Sequence, residues 1–104
     1  MVGNVSIEYD FTSDELEDIN RCVRNLYSTR AGSQPMDRDF GIDYDGIVGL
    51  PLEVAKNRLA IEYMDKTERY EPRVVVDSVD FTVDISSGML IPTVHLVKGG
   101  EDDE

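Results

Sequence analysis

The 104-residue sequence has no tryptophan, one cysteine and one histidine. The single cysteine, Cys22, excludes an internal disulfide, and because it falls within a helical pattern we expect a buried, unreactive thiol. The single histidine, His95, has no second histidine or cysteine cluster with which to form a zinc site. We therefore expect no disulfide framework, no metal site and no cofactor.

Long apolar runs are also missing. No run approaches the roughly 20 residues that cross a bilayer. The first ten residues carry Glu8 and Asp10 in place of a basic region followed by an apolar one. We expect a chain that binds no membrane and stays in the cytoplasm in which it is made.

Positive charge is scarce. Ten lysines and arginines stand against 22 aspartates and glutamates, which gives a formal net charge of −12. Because this field repels phosphate backbones, we expect no nucleic-acid binding and favour basic partners. The acidic block at residues 101–104 predicts a flexible, solvated tail over residues 99–104, after a single domain over residues 1–98, with a docking signal as the alternative.

Motifs that carry catalysis are absent as well. The sequence contains no Gly-x-Ser-x-Gly and no glycine-rich phosphate loop. A carboxylate pair at glycosidase spacing would arise by chance among 22 acids, so it would not be informative. Glu53 and Glu62 are expected to be solvated on a helix. We expect no catalytic residue and no enzymatic activity.

The first third of the chain predicts a strand followed by a helix. Apolar residues alternate with polar ones at Val5, Ile7 and Tyr9, which is typical of a half-buried strand. Thr12, with Glu15 three residues on, predicts a helix N-cap. The helix stripe then follows at Leu16, Ile19, Val23, Leu26 and Tyr27.

The segment from residue 31 to residue 49 predicts a structured loop. It is long for a connection within a compact domain, but it carries the apolar residues Met36, Phe40, Ile42 and Ile47. Such residues indicate an anchored loop. We expect Arg30 to hold it through loop carbonyls or through Asp37 or Asp39, because a guanidinium offers five donors in a planar fork.

The second half predicts a helix and a hairpin. Pro51 suits a helix start, and three surface ion pairs are expected along the helix: Glu53 with Lys56, Glu62 with Lys66, and Asp65 with Arg69. Pro72 ends the helix. Two alternating strands then flank the turn at residues 86–88, and Pro92 predicts that the second is an edge strand or bulged.

Together these patterns predict an α+β domain with two amphipathic helices packed on a small, mainly antiparallel sheet with a C-terminal hairpin.

Two ordered motifs carry a resemblance. The chain reads Thr-Arg-Ala-Gly-Ser-Gln-Pro-Met-Asp-Arg-Asp-Phe-Gly from Thr29 to Gly41, and Glu71-Pro72-Arg73 follows between the second helix and the hairpin. From about Leu16 to Val97 this pattern resembles the baseplate wedge and sheath-initiator family of contractile-tailed phages, which has relatives in type VI secretion baseplates and phage-tail-like bacteriocins. Gln34 stands where many relatives have a basic residue.

The resemblance implies a structural role in a virion tail baseplate that is assembled in the host cytoplasm. Its partners would be other wedge proteins and the tail sheath protein, with tube or hub proteins as further candidates. Glu71, Pro72 and Arg73, together with Arg30, would contact these partners. An extended backbone places Glu71 and Arg73 side by side. They are presented to a partner or paired with each other, or Arg73 caps the last carbonyls of the second helix.

Two alternatives stay open. Some bacterial proteins of this fold act as anti-adaptors that keep an adaptor from delivering its substrate to a protease, and an acidic module suits that role. Some family members have been described as lysozymes, which is the catalytic alternative.

An exposed strand edge is expected to pair with a strand of the sheath protein. It is formed either by the N-terminal strand, through Val5, Ile7 and Tyr9, or by the hairpin. Deletion of residues 1–11 should then leave the domain folded but impair the start of sheath assembly. Circular dichroism and a sheath assembly assay test this. Unfolding of the truncated chain would show instead that the strand belongs to the core.

Overall fold

The computed structural model describes residues 5–32, 39–47 and 49–99. The elements in chain order are β1 (Ser6–Tyr9), α1 (Leu16–Ser28), α2 (Leu52–Tyr70), β2 (Val74–Asp84) and β3 (Met89–Lys98). This confirms the predicted α+β fold with a C-terminal hairpin. The expected roles of Met36, Asp37 and the acidic tail fall outside the described residues.

The sheet has the strand order β1-β3-β2. β2 and β3 pair antiparallel along the hairpin, with an irregularity between Val76 and Ser78. β1 pairs in parallel with β3, from Ser6 opposite Thr93 to Tyr9 opposite Leu96. The longer ladder is the antiparallel one, and the N-terminal strand completes the sheet on its other side.

The expectation that Pro92 places its strand at an edge was wrong, because β3 is the central strand. Gly99 donates its N–H to the Arg73 carbonyl, so odd-numbered residues of β3 direct their backbone groups toward β2 and Pro92 directs its nitrogen toward β1. β1 begins only opposite Thr93. The N–H that Pro92 lacks would lie beyond the start of the β1–β3 pairing. Its absence therefore removes no hydrogen bond between these two strands.

Both helices lie on one face of the sheet, and the core forms between the two layers. Every second residue of β3 is buried at Leu90, Pro92, Val94 and Leu96, which is the alternation of a strand with one covered face. The helices contribute the core residues Ile19, Val23, Leu26 and Tyr27 from α1, and Ala55, Leu59 and Tyr63 from α2. Neither helix in the described part of the chain is long and apolar enough to span a bilayer.

The predicted N-cap at Thr12 was wrong. α1 begins at Leu16 after a turn in which the Ser13 hydroxyl accepts from the Glu15 N–H at 3.1 Å. The Ser13 carbonyl also accepts from the Leu16 N–H at 3.1 Å. Ser13 thus accepts from the Glu15 N–H, which Thr12 was expected to cap.

Lys66 anchors the loop before α2. Its ammonium group donates to the carbonyl oxygens of Gly41, at 2.9 Å, and of Asp39. Glu62, 4.0 Å from Lys66, accepts from the Asp43 N–H at 3.0 Å. Because only 7% of Lys66 is exposed, the expected surface pair of Glu62 with Lys66 is instead a buried support for the loop.

The loop also pairs directly with the end of α1. Ile42 donates to the Thr29 carbonyl and accepts from the Ala31 N–H, each at 2.9 Å. Gly41 has φ +107°, and a Cβ there would lie 2.5 Å from the Thr29 carbonyl oxygen. Only glycine allows this close approach.

The other two expected helix pairs differ in outcome. Lys56 lies 3.6 Å from Glu53, as predicted. Arg69 pairs with Asp39 at 3.7 Å, and no ion pair between Asp65 and Arg69 is found within the described ranges. Arg69 therefore pairs with a carboxylate of the loop.

Tyrosines join the two helices. The hydroxyls of Tyr27 and Thr67 lie 2.5 Å apart, and Tyr44 donates to the Tyr27 carbonyl. The Tyr27 and Tyr63 rings pack with centroids 4.8 Å apart. Burial raises the pKa of Tyr27 and Tyr63 well above the usual range for a phenol. The polar tips are therefore held neutral within the core.

Replacing Lys66 with alanine should lower the free energy of unfolding by about 2–4 kcal/mol, because it leaves the buried Gly41 carbonyl without its donor. The matched control is Lys56→Ala, which removes a lysine from the same helix and should cost at most about 1 kcal/mol. Urea denaturation followed by circular dichroism measures both. Equal losses would mean that Lys66 does not hold the loop.

Candidate functional site

The candidate site lies at the corner between α2 and β2. α2 ends because Pro72 has no N–H and disfavours helical geometry at Glu71, which adopts φ −143° and ψ 70°. The Glu71 N–H still donates to the Thr67 carbonyl at 2.8 Å, and the Glu71 carbonyl accepts from Val74 at 3.2 Å. The corner is therefore hydrogen-bonded on both sides of the exposed Pro72.

Glu71 and Arg73 form a two-point ion pair. Arg73 Nε donates to Glu71 Oε1 at 2.6 Å, and Nη2 donates to Oε2 at 2.8 Å. Such fork-to-fork pairing fixes the orientation of both groups. The side chain of Glu71 is 6% exposed and that of Arg73 is 35% exposed. Glu71 is thus an internal carboxylate, and Arg73 covers it from the surface.

The remaining nitrogen of Arg73 faces α1. Nη1 lies 3.1 Å from the Asp18 carboxylate and 3.4 Å from that of Glu15. Nη2 also lies 3.9 Å from the Cys22 Sγ. The hydrogen bonds to Glu71 first, and then those to Asp18 and Glu15, raise the pKa of Arg73 above its usual range. One guanidinium therefore joins the corner to the first helix.

β1 contacts α1 through Tyr9. The Tyr9 hydroxyl donates to Asn20 Oδ1 at 2.8 Å, and Arg24 donates to the same oxygen at 3.2 Å. Burial raises the pKa of Tyr9 to about 12, with Arg24 lowering it and Glu71 raising it further. Tyr9 thus joins β1 to α1, while the Arg73 cluster, which consists of Glu71, Arg73, Asp18 and Glu15, joins α1 to the corner.

Arg30 lies away from this cluster. It follows the C-terminus of α1, and roughly 15 Å of helix separates Ser28 from Asp18 at 1.5 Å per residue. Arg30 Nε lies 3.5 Å from Asp45 Oδ1, and both side chains are exposed. The four predicted partner-contact residues therefore fall on two separate surfaces, with Glu71, Pro72 and Arg73 on one and Arg30 on the other.

The outer edge of β1 carries the predicted strand-pairing residues. Asp10 donates its N–H to the Leu96 carbonyl at 3.0 Å. Because backbone groups alternate along a strand, the N–H groups of Val5, Ile7 and Tyr9 point away from β3. β1 ends the described sheet on this side. These three donors are aligned for a further strand.

His95 lies on the sheet face opposite the helices. Its Nε2 is 2.8 Å from Asp80 Oδ2 on β2, and its Nδ1 is 4.0 Å from Glu8 Oε1 on β1. The side chain therefore links all three strands. Among the described residues, no group of histidine, cysteine and acidic side chains is arranged to hold a metal ion.

The sequence interpretation missed the partners of Arg73 on α1. Glu15, Asp18 and Cys22 recur at spacings of three and four residues, which places them on one helix face. That spacing was a usable signal for a shared partner. Lys66 was missed too, although it continues the buried stripe of Leu59 and Tyr63.

The chain is similar to proteins of a known family. A family model described as "Baseplate wedge protein gp25" matches residues 13–96. A search of the curated proteins found no match. A chain of the six-fold symmetrised cryo-EM structure of the anti-feeding prophage baseplate is 18% identical, with a TM-score of 0.70, covering 83% of this chain and 70% of the other.

A second solved structure has a similar fold. The crystal structure of a putative tail lysozyme from Geobacter sulfurreducens is 20% identical, with a TM-score of 0.58, covering 88% of this chain and 96% of the other. At this identity both structural matches show the fold alone.

Removing Arg73 should destabilise the domain, because it leaves the buried Glu71 carboxylate without its donor. Arg73→Ala should lower the urea midpoint more than Arg21→Ala, which removes an exposed arginine that also pairs with Asp18. Adding Glu71→Leu to Arg73→Ala should recover part of the loss, since no buried charge then remains.

The readout is urea denaturation of the four chains, including the wild type. A double variant less stable than Arg73→Ala would contradict the pairing of Arg73 with Glu71 as the source of the effect.

Proposed function

The chain belongs to the family of the baseplate wedge protein gp25, and from this membership we propose that it is a structural subunit of a contractile-tail baseplate that nucleates the sheath. The machine would be a phage tail or a related injection apparatus, assembled in the host bacterial cytoplasm. The observation that carries the proposal is the family match over residues 13–96. Its partners would be other wedge proteins and the sheath protein, with tube or hub proteins as further candidates.

Strand addition is the proposed mechanism. A strand of the sheath protein would pair with the outer edge of β1, through the backbone donors of Val5, Ile7 and Tyr9. An edge strand has unpaired backbone groups that favour such pairing. Because a one-residue slip would reverse the side-chain faces, the pairing would also fix the register of the first sheath ring.

Arg73 would contribute a charged contact to a neighbouring subunit. Its side chain is 35% exposed, and the two carboxylates beside it, Glu15 and Asp18, are 61% and 46% exposed. Pro72 is exposed next to it. Glu71, which is buried beneath Arg73, would hold the guanidinium in place. Arg30 would contribute a separate contact near the end of α1.

We propose no catalytic role for the chain. A glycosidase needs a carboxylic acid that can give its proton to the leaving group. Glu71 is the one acidic residue that is buried in the described part of the chain, and both of its oxygens accept from Arg73. This carboxylate is therefore engaged in the fold and does not face a substrate cleft.

Proline at Ile7 tests the strand-addition mechanism. Ile7→Pro removes an N–H that points away from β3, whereas Ile7→Ala keeps that N–H and loses a comparable side chain. We expect Ile7→Pro to abolish the start of sheath polymerisation and Ile7→Ala to retain it. Electron microscopy of the chain mixed with the sheath protein encoded near it measures the outcome, after circular dichroism shows that both variants are folded.

Sheath polymerisation by a folded Ile7→Pro variant at the rate of Ile7→Ala would overturn pairing at the β1 edge. Failure of the wild-type chain itself to nucleate the sheath would overturn the proposed function.

A further inference from the structure

A groove lies at the hairpin end of the molecule, away from the corner that holds Arg73. Its volume is about 930 Å³, and it opens between the end of α1, the start of α2 and the sheet. The apolar residues on its walls include Ile7, Leu50, Leu52, Val83 and Met89. It is the largest of the described cavities and uses none of the residues of the Arg73 cluster.

The groove exists because the hairpin extends beyond the helices. Val83 pairs with Leu90, which is buried on the helix side of the sheet, yet Val83 is 45% exposed. Leu52, in the first turn of α2, is 49% exposed across the opening. Large apolar side chains left open on both walls of one groove are typical of a binding surface.

The charge of the groove is opposite to that of the protein. Arg24 and Arg30 both line it, and Asp45 is the single acidic residue among its described lining. The chain as a whole carries −12. Arg24 is exposed and held by Asn20 at 3.2 Å, and Arg30 is exposed beside Asp45. Two oriented guanidinium groups therefore border an apolar floor.

We infer that this groove is a docking site for a partner protein segment that carries apolar side chains next to a carboxylate. The apolar side chains would cover Leu52 and Val83, and the carboxylate would accept from Arg24 and Arg30. A basic segment would be attracted to the acidic remainder of the surface and repelled here. No residue of the Arg73 cluster lines the groove, which takes in Ile7 of β1 and Arg30 near the end of α1.

An amphipathic anion tests the site without knowledge of the partner. Anilinonaphthalene sulfonate combines aromatic rings with one negative charge, and phenylnaphthylamine is its neutral counterpart. Fluorescence titration of the folded full chain should show saturable binding of the anion. Arg24→Gln should lower the affinity for the anion about three- to fivefold, which is the range of an exposed charge pair. The affinity for the neutral probe should not change.

Leu52→Glu should lower the affinity for both probes. It removes apolar surface that each probe contacts, and its negative charge also repels the anion. Arg58→Gln is the matched control, since it removes an exposed arginine outside the groove, and it should change neither affinity. Blocked hexapeptides of alternating leucine and glutamate, or of leucine and lysine, then serve as competitors. We expect only the acidic peptide to displace the anion.

Anion affinity that is the same in Arg24→Gln, Leu52→Glu and the wild type would overturn the site. Displacement by the lysine peptide equal to that by the glutamate peptide would overturn the inferred partner chemistry.

Discussion

The buried carboxylate of Glu71, held by the two-point pairing with Arg73, is the constraint on which the arrangement of this domain depends. It fixes the corner where α2 ends and β2 begins, because both residues of the pair flank the rigid Pro72. Through Asp18 and Glu15 the same guanidinium fixes α1 against that corner. A buried charge tolerates few other arrangements, since losing its partner leaves it uncompensated.

A second internal charge, on Lys66, ties the loop before α2 to the helix layer. The Lys66 ammonium group donates to two carbonyl oxygens of the loop before α2. Ile42 of that loop in turn pairs with the residues that follow α1. The described ends of the first resemblance motif, at Thr29 and Gly41, and the Glu71-Pro72-Arg73 motif are thus hydrogen-bonded into the fold. A loss of function after mutation of Arg73 would therefore have two sources, a lost partner contact and a weakened corner. Folded variants are needed to separate them.

Local patterns in the sequence predicted the helices, the hairpin and the half-buried alternation of β1. They did not predict that β1 joins β3 in parallel, because that pairing links residues almost 90 positions apart, from Ser6 to Thr93. The expectation that Pro92 marks an edge strand was wrong for the same reason. The missing N–H of Pro92 is tolerated in the central strand because β1 pairs only from Thr93 onward. The sequence predicted part of the Arg73 cluster. The pairing of Arg73 with Glu71 was one expectation from the extended backbone, whereas the contact of Arg73 with Glu15 depends on the packing of α1, 58 residues away.

We propose that Arg73 contacts a neighbouring subunit while Glu71 holds the guanidinium in place from inside the fold. Co-purification of the wild type and Arg73→Ala with the proteins encoded beside the chain tests this, after circular dichroism has shown both to be folded. We expect a folded Arg73→Ala to lose its wedge or sheath partners. Full retention of those partners would make Arg73 an internal residue only, and wild-type chain that captures no tail protein would contradict the baseplate role and favour the anti-adaptor alternative.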